Sequence, residues 1–150
     1  MFDEELRNIA FQMSKPFCYT CYIEAVHTEK HGDRCPKCFT DDLMRILPDD
    51  GPEWGTDWVV RSLLENRCHK LSWEDLEERF MDMLNDCYEK VKIGGYEWDH
   101  GEAFKRLDPV AFHQDLLAFI DAEADETIIT FDNGSTYFDV ADIEQFINEH

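Results

Sequence analysis

The sequence predicts an α+β fold in which helices dominate, and three observations carry that prediction. Apolar residues recur at helical spacing in several stretches. A cysteine-bearing segment near the front alternates like a short hairpin. Near the C-terminus two β-rich runs flank Asp132-Asn133-Gly134-Ser135, a strong hairpin turn. With 150 residues, 43% of them hydrophobic and 13% aromatic, the chain can bury a core, as one compact domain or two small ones, so intrinsic disorder is excluded.

Taken in order, Phe2, Leu6, Ile9 and Met13 mark an N-terminal helix whose first turn, Asp3 to Glu5, suits the positive end of the helix dipole; Pro16 closes it. Asp41 to Leu47 makes a short structured segment. Pro48-Asp49-Asp50-Gly51-Pro52 reads as a linker, dividing the chain into an N-terminal module, 1–47, and an acidic helical body, 56–150. Thr56 caps a helix to about His69, buried through Trp58, Val59, Val60, Leu63 and Leu64. Ser72 and Asp75 form a capping box for the next, whose stripe is Trp73, Leu76, Phe80, Met83, Leu84 and Cys87; the two helices are expected to pack as a hairpin. Val91 to Trp98, with Gly94-Gly95, gives a strand pair or a loop. Asp108-Pro109 starts a helix with Phe112, Leu116, Phe119 and Ile120 inward. The Thr127–Phe131 and Thr136–Asp139 hairpin and a last helix with Ile143, Phe146 and Ile147 complete the fold.

The most specific motif is a pair of Cys-x-x-Cys knuckles, Cys18 with Cys21 and Cys35 with Cys38, thirteen residues apart. Two intervening residues let a tight turn aim both sulfurs at one point, and two such turns complete a tetrahedral thiolate shell of the kind zinc prefers. Between them Tyr22 to Thr28 alternates as a strand, and Glu29 to Asp33 supplies a polar turn containing Gly32. The segment from about Pro16 to Phe39 therefore resembles a zinc ribbon. The likeness covers about a sixth of the chain, and Phe39 stands where the second knuckle of the family often carries Gly. It implies a bound zinc ion and a small fold but no particular role, because ribbons serve nucleic-acid machines, enzymes and protein adaptors alike. Disulfides would need an oxidising compartment, against which the start Met1-Phe2-Asp3-Glu4-Glu5 argues, having no basic and then apolar leader. A redox dithiol would use one pair rather than two. Iron is the remaining occupant of such a cage. Four thiolates leave no position for water, so the site stabilises rather than catalyses. His27 and His31 are expected to be ordinary hairpin residues.

Thirty-four Asp or Glu against fourteen Lys or Arg give a formal charge of −20, distributed as −4, −6 and −10 over successive thirds. Beyond Arg106 there is no Lys or Arg, while eleven carboxylates follow. Repulsion of this size serves solubility or awaits a basic partner. The expected contact residues are Asp121, Glu123, Asp125, Glu126, Asp139, Asp142, Glu144 and Glu149. Lys15, Lys30, Arg34 and Lys37 make the ribbon nearly neutral, but the body's negative field disfavours direct nucleic-acid binding.

No nucleophile and base, phosphate-binding glycine loop or histidine cluster at metal spacing stands out. Asp99-His100-Gly101-Glu102 and the His113/Asp115 pair are explained more simply as polar residues facing solvent. Cys68 and Cys87 are expected as small buried hydrophobes, and the four tryptophans mainly as core, with Trp54 the exception as an exposed anchor. No apolar run reaches the roughly 20 residues of a membrane span, so a cytoplasmic protein is expected. The expected function is a non-enzymatic, acidic, zinc-binding protein that binds a basic protein surface, in its sharper form as a nucleic-acid mimic inhibiting a DNA- or RNA-binding complex. Small acidic inhibitors of restriction and CRISPR systems are similar in charge and size, though no motif ties the chain to them. The alternative is a zinc-ribbon adaptor or regulator that touches nucleic acid through the ribbon cations; a third reading is an enzyme using a dithiol or an acidic site.

Overall fold

The structure, a computed structural model, describes residues 2–150. It is α+β, with 46% of residues in helices and 22% in strands. Two compact units are resolved: residues 1–69 together with 142–150, and residues 70–141.

In the first unit, α1 (Asp3–Met13) buries Leu6, Ile9 and Ala10 and packs on α2 (Asp57–Arg67), which buries Val59, Leu63 and Leu64. Between these helices the chain forms β1 (Lys15–Cys18), β2 (Ile23–Glu24), β3 (Val26–Thr28), β4 (Gly32–Arg34), β5 (Met44–Leu47) and β6 (Gly51–Glu53). An antiparallel sheet runs in the order β2-β1-β5-β6, while β3 and β4 form a separate hairpin with Val26 opposite Arg34 and Thr28 opposite Gly32. Gly32, at φ +70°, takes the left-handed conformation that closes this turn.

The Pro48–Pro52 run is not an interdomain linker. It is the turn of the β5–β6 hairpin, where Leu47 pairs with Gly51 and Ile46 with Pro52, and the Asp50 carboxylate accepts from the Ser62 hydroxyl of α2. Proline is tolerated there because β6 is an edge strand with no further neighbour for its nitrogen. Consequently α2 belongs to the same unit as the cysteine motif, and the division of the chain does not follow the 1–47 and 56–150 boundaries.

The second unit holds β7 (Lys70–Leu71), α3 (Trp73–Cys87), β8 (Val91–Ile93), β9 (Tyr96–Trp98), α4 (His100–Leu107), α5 (Pro109–Glu123), β10 (Ile128–Ile129) and β11 (Tyr137–Asp139). The Ser72 capping box forms as expected: its hydroxyl accepts from Asp75 N at 3.1 Å and its own N–H donates to the Asp75 carboxylate at 2.8 Å. Asp108 likewise caps α5 by accepting from Ala111 N at 3.1 Å. The expected α2–α3 hairpin gives way to other pairings, since α2 packs on α1, and α3 on α4 and α5. Leu76, Phe80 and Leu84 of α3 meet Phe112, Leu116 and Ile120 of α5 in one core, each such burial worth about 1.5–3 kcal/mol. The C-terminal hairpin pairs Ile128 with Asp139 and Ile129 with Phe138, and β7 joins it as a third strand.

Helix α4 has no counterpart in the sequence reading. Gly101 weakens its helical signal, yet a Cβ at that position would lie 3.2 Å from the Met81 backbone, so glycine lets α4 approach α3 closely. Helix α6 (Val140–Asn148) carries the last helical segment, with Ile143 and Phe146 buried as expected. Trp73 belongs to the same stripe as Leu76 and Phe80 but occupies the first position of α3, at the end of the helix, and is 47% exposed rather than part of the core.

Candidate metal centre

The four sulfurs of Cys18, Cys21, Cys35 and Cys38 lie within 4.8 Å of one another. Cys18 is the last residue of β1 and pairs with Ile23, so Cys21 stands in the turn between β1 and β2. Cys35 follows β4, and Phe39 N donates to its carbonyl at 3.0 Å, closing the second turn around Cys38. Backbone amides aim at the sulfurs: Cys21 N to Cys18 Sγ at 3.5 Å, Lys37 N to Cys35 Sγ at 3.4 Å and Cys38 N to Cys35 Sγ at 3.5 Å. Such donors favour the thiolate form, the species a metal binds.

A tetrahedral zinc–thiolate shell with bonds of about 2.3 Å has sulfur–sulfur edges of about 3.8 Å. The Cys18 and Cys38 sulfurs, 3.6 Å apart, approach that edge, and all six cysteines are free. The donor set thus fits a thiophilic metal ion.

The sulfurs are inequivalent. Burial pushes the Cys35 thiol up, but the amides of Cys38 and Lys37 and the neighbouring sulfurs outweigh it, bringing it down to about 6. Burial and the surrounding thiols push Cys21 up to about 12.

Each knuckle is followed by a residue in the left-handed region, Tyr22 at φ 55° and Phe39 at φ 63°. At both positions the side chain makes a ring contact. Tyr22 meets Phe17 edge to face at 5.0 Å, and Phe39 lies under Arg34 at 5.3 Å and against His31 at 5.2 Å. Arg34 also donates to the Phe39 carbonyl at 3.1 Å. The Cys-x-x-Cys spacing marks the four cysteines that come together, but it carries no signal for these ring contacts, which involve residues outside each knuckle.

The neighbouring histidines take structural roles: His27 Nδ1 lies 2.9 Å from the Asp33 carboxylate, and His31 packs on Phe39. His100 stacks on Tyr88 at 4.4 Å and His113 contacts Trp73 at 5.7 Å. Among the described residues the four-cysteine group is the one cluster of three or more His, Cys, Asp or Glu side chains with metal-binding proximity.

The expected contact carboxylates do not share one unit. Asp121, Glu123, Asp125, Glu126 and Asp139 lie in the second, whereas Asp142, Glu144 and Glu149 lie in the first. Asp139 is held by Arg79 through two bonds of 2.6 and 2.9 Å, a cation sixty residues earlier that counting along the C-terminal stretch could not find. Cys68 is buried as expected, but Cys87 is exposed.

No protein-family model, curated protein or solved structure matches this chain. No described helix is long and apolar enough to cross a membrane.

Proposed function

We propose that this protein is a non-catalytic binding protein in which a zinc ribbon braces the first unit while the acidic second unit engages a basic protein surface, in its sharper form by mimicking the field of a nucleic acid. The supporting observation is the charge of residues 70–141, eighteen carboxylates against six Lys or Arg. Five of those cations are committed to the unit's own carboxylates: Arg79 to Asp139, Lys90 to Asp99, Lys92 to Glu97, Lys105 to Glu77 and Arg106 to Glu102. The unit therefore keeps a net charge of −12, with five of its six cations paired to its own carboxylates. Such a field raises the on-rate of a cationic partner and rejects polyanions. Zinc is favoured over iron by the ribbon resemblance. Metal content and the visible spectrum test it, since a ferric tetrathiolate is coloured and a zinc one is not.

The partner is sought by capture on the full chain at low and high salt, followed by a gel shift with the captured protein and its nucleic acid. Loss of that protein's retardation supports mimicry. A second reading, the ribbon adaptor, is favoured by one feature: Lys30 and Lys37 are exposed, and so are Tyr19, Tyr22 and Phe39 of the same segment. Direct retardation of nucleic acid by this chain alone selects the adaptor instead.

A further inference from the structure

Helices α3 and α5 face one another across an open apolar groove on the second unit. Phe80, Met83, Leu84 and Cys87 supply one wall at helical spacing i, i+3, i+4, i+7, and Asp115, Ala118, Phe119 and Ala122 supply the other with the same spacing. The groove, lined also by Tyr88, has a volume of about 440 Å³ and is open to solvent. A second cavity of about 320 Å³ shares Met83 and Phe119 and is lined also by Arg79, Glu123 and Ile128. Phe80 and Leu84 form a buried floor, whereas Cys87, Ala118 and Ala122 are exposed. The small alanines keep the channel open, and the methionine and phenylalanine offer an adaptable apolar lining.

The two helices that wall this groove are strongly acidic. Helices α3 and α5 together carry nine carboxylates and one cation, Arg79, which is bound to Asp139. Asp115 lines the groove itself, and Glu123 lines the second cavity together with the Asp139-bound Arg79. A second copy of this chain is an unsuitable occupant, because each copy carries −20.

We propose that the α3–α5 groove is the docking site for an amphipathic helix of a partner protein, one that buries large apolar side chains between the alanines and presents Lys or Arg to the carboxylate rim. Two facing rows at helical spacing are the surface into which a third helix packs ridge into groove, and the acidic rim selects a cationic flank. The proposal rests on the reading of the second unit as a binder of basic protein surfaces. It moves the specific contact from the C-terminal carboxylates to this groove.

The test uses the full chain and two synthetic peptides of one composition, an amphipathic helix of Leu, Trp and Lys and its scrambled, non-amphipathic isomer. Cys87 in the groove wall is a built-in reporter. Expected is binding of the amphipathic peptide at least tenfold tighter than the isomer, with alkylation of Cys87 slowed at least tenfold. Ala122→Trp, filling the channel at an exposed position, and Asp115→Lys, reversing the rim, each weaken that binding at least tenfold while the circular dichroism spectrum is retained. If both peptides bind equally, ignore Ala122→Trp and leave Cys87 reacting at its free rate, the groove is overturned and the acidic-surface reading stands. If neither peptide binds even at low salt, both fall.

Discussion

The guanidinium of Arg45 in β5 donates to Ser14 twice, through Nε to the hydroxyl at 2.9 Å and through Nη2 to the carbonyl at 2.7 Å. Nη2 also reaches the Phe11 carbonyl at 2.7 Å, and the charge lies 4.2 Å from the centre of the Phe11 ring. Arg45 thereby satisfies carbonyls at the C-terminus of α1, whose last turn carries no basic residue of its own. Both Arg45 and Ser14 are buried, so truncation leaves orphaned acceptors rather than hydrated ones. Arg45→Ala is expected to cost about 3 kcal/mol, read as a lower urea midpoint with unchanged m-value. A cost below about 0.5 kcal/mol would show that this tie is dispensable.

Metal removal is expected to act on one unit. Cys18 and Cys35 are buried and anchor both knuckles, whereas the second unit has its own core of Leu76, Phe80, Leu84, Phe112 and Leu116. Chelation, or Cys35→Ser, is therefore expected to open the β1–β4 region to protease while most of the helical circular dichroism persists. Complete loss of the helical signal would contradict two separately cored units.

Thiol chemistry distinguishes the six cysteines. Cys87 is exposed, with Met83 Sδ 3.9 Å from its sulfur. Cys68 is buried with its sulfur 3.8 Å from the Asp142 carbonyl, and burial first, then Asp142 and Glu149, pushes its thiol up. Since the thiolate is the nucleophile, the metal-loaded protein is expected to show one fast thiol, Cys87, with Cys68 reacting only on unfolding and the other four only after chelation. Peptide mapping after timed iodoacetamide exposure measures this directly, and early labelling of Cys68 would contradict its burial.

Local sequence signals were legible where residues a few positions apart decide the structure. The Ser72/Asp75 capping box, the Asp108-Pro109 helix start and the two knuckles all belong to this class, and each forms. Relationships set by distant pairing were not legible. Arg79 neutralises Asp139, Arg45 closes α1 across 31 residues, and the Pro48–Pro52 run is a hairpin turn because β5 and β6 pair around it. Cys87 illustrates the same limit: the stripe that buries Leu84 places Cys87 at a groove mouth, and only the approach of α5 determines which of the two is covered.

The Asp132 turn gives a pH dependence. Its carboxylate accepts from Thr136 N at 2.8 Å and from the Thr130 hydroxyl at 2.9 Å, within a turn whose Asn133 and Gly134 adopt φ 58° and 94°. Partial burial pushes the carboxyl up, but these donors outweigh it and hold it below its ordinary 3.8. A lowered folded value means the contribution is fully present above the ordinary carboxylate range and is lost as pH falls through the folded value. Asp132→Ala is expected to cost about 1–2 kcal/mol at neutral pH, while Asp132→Asn, which keeps an acceptor, costs less. Both should flatten the decline in stability below pH 3.8, because neither has this group left to protonate. Urea midpoints collected across that range test the assignment: an acid decline in Asp132→Asn parallel to the parent's would place the responsible carboxylates elsewhere.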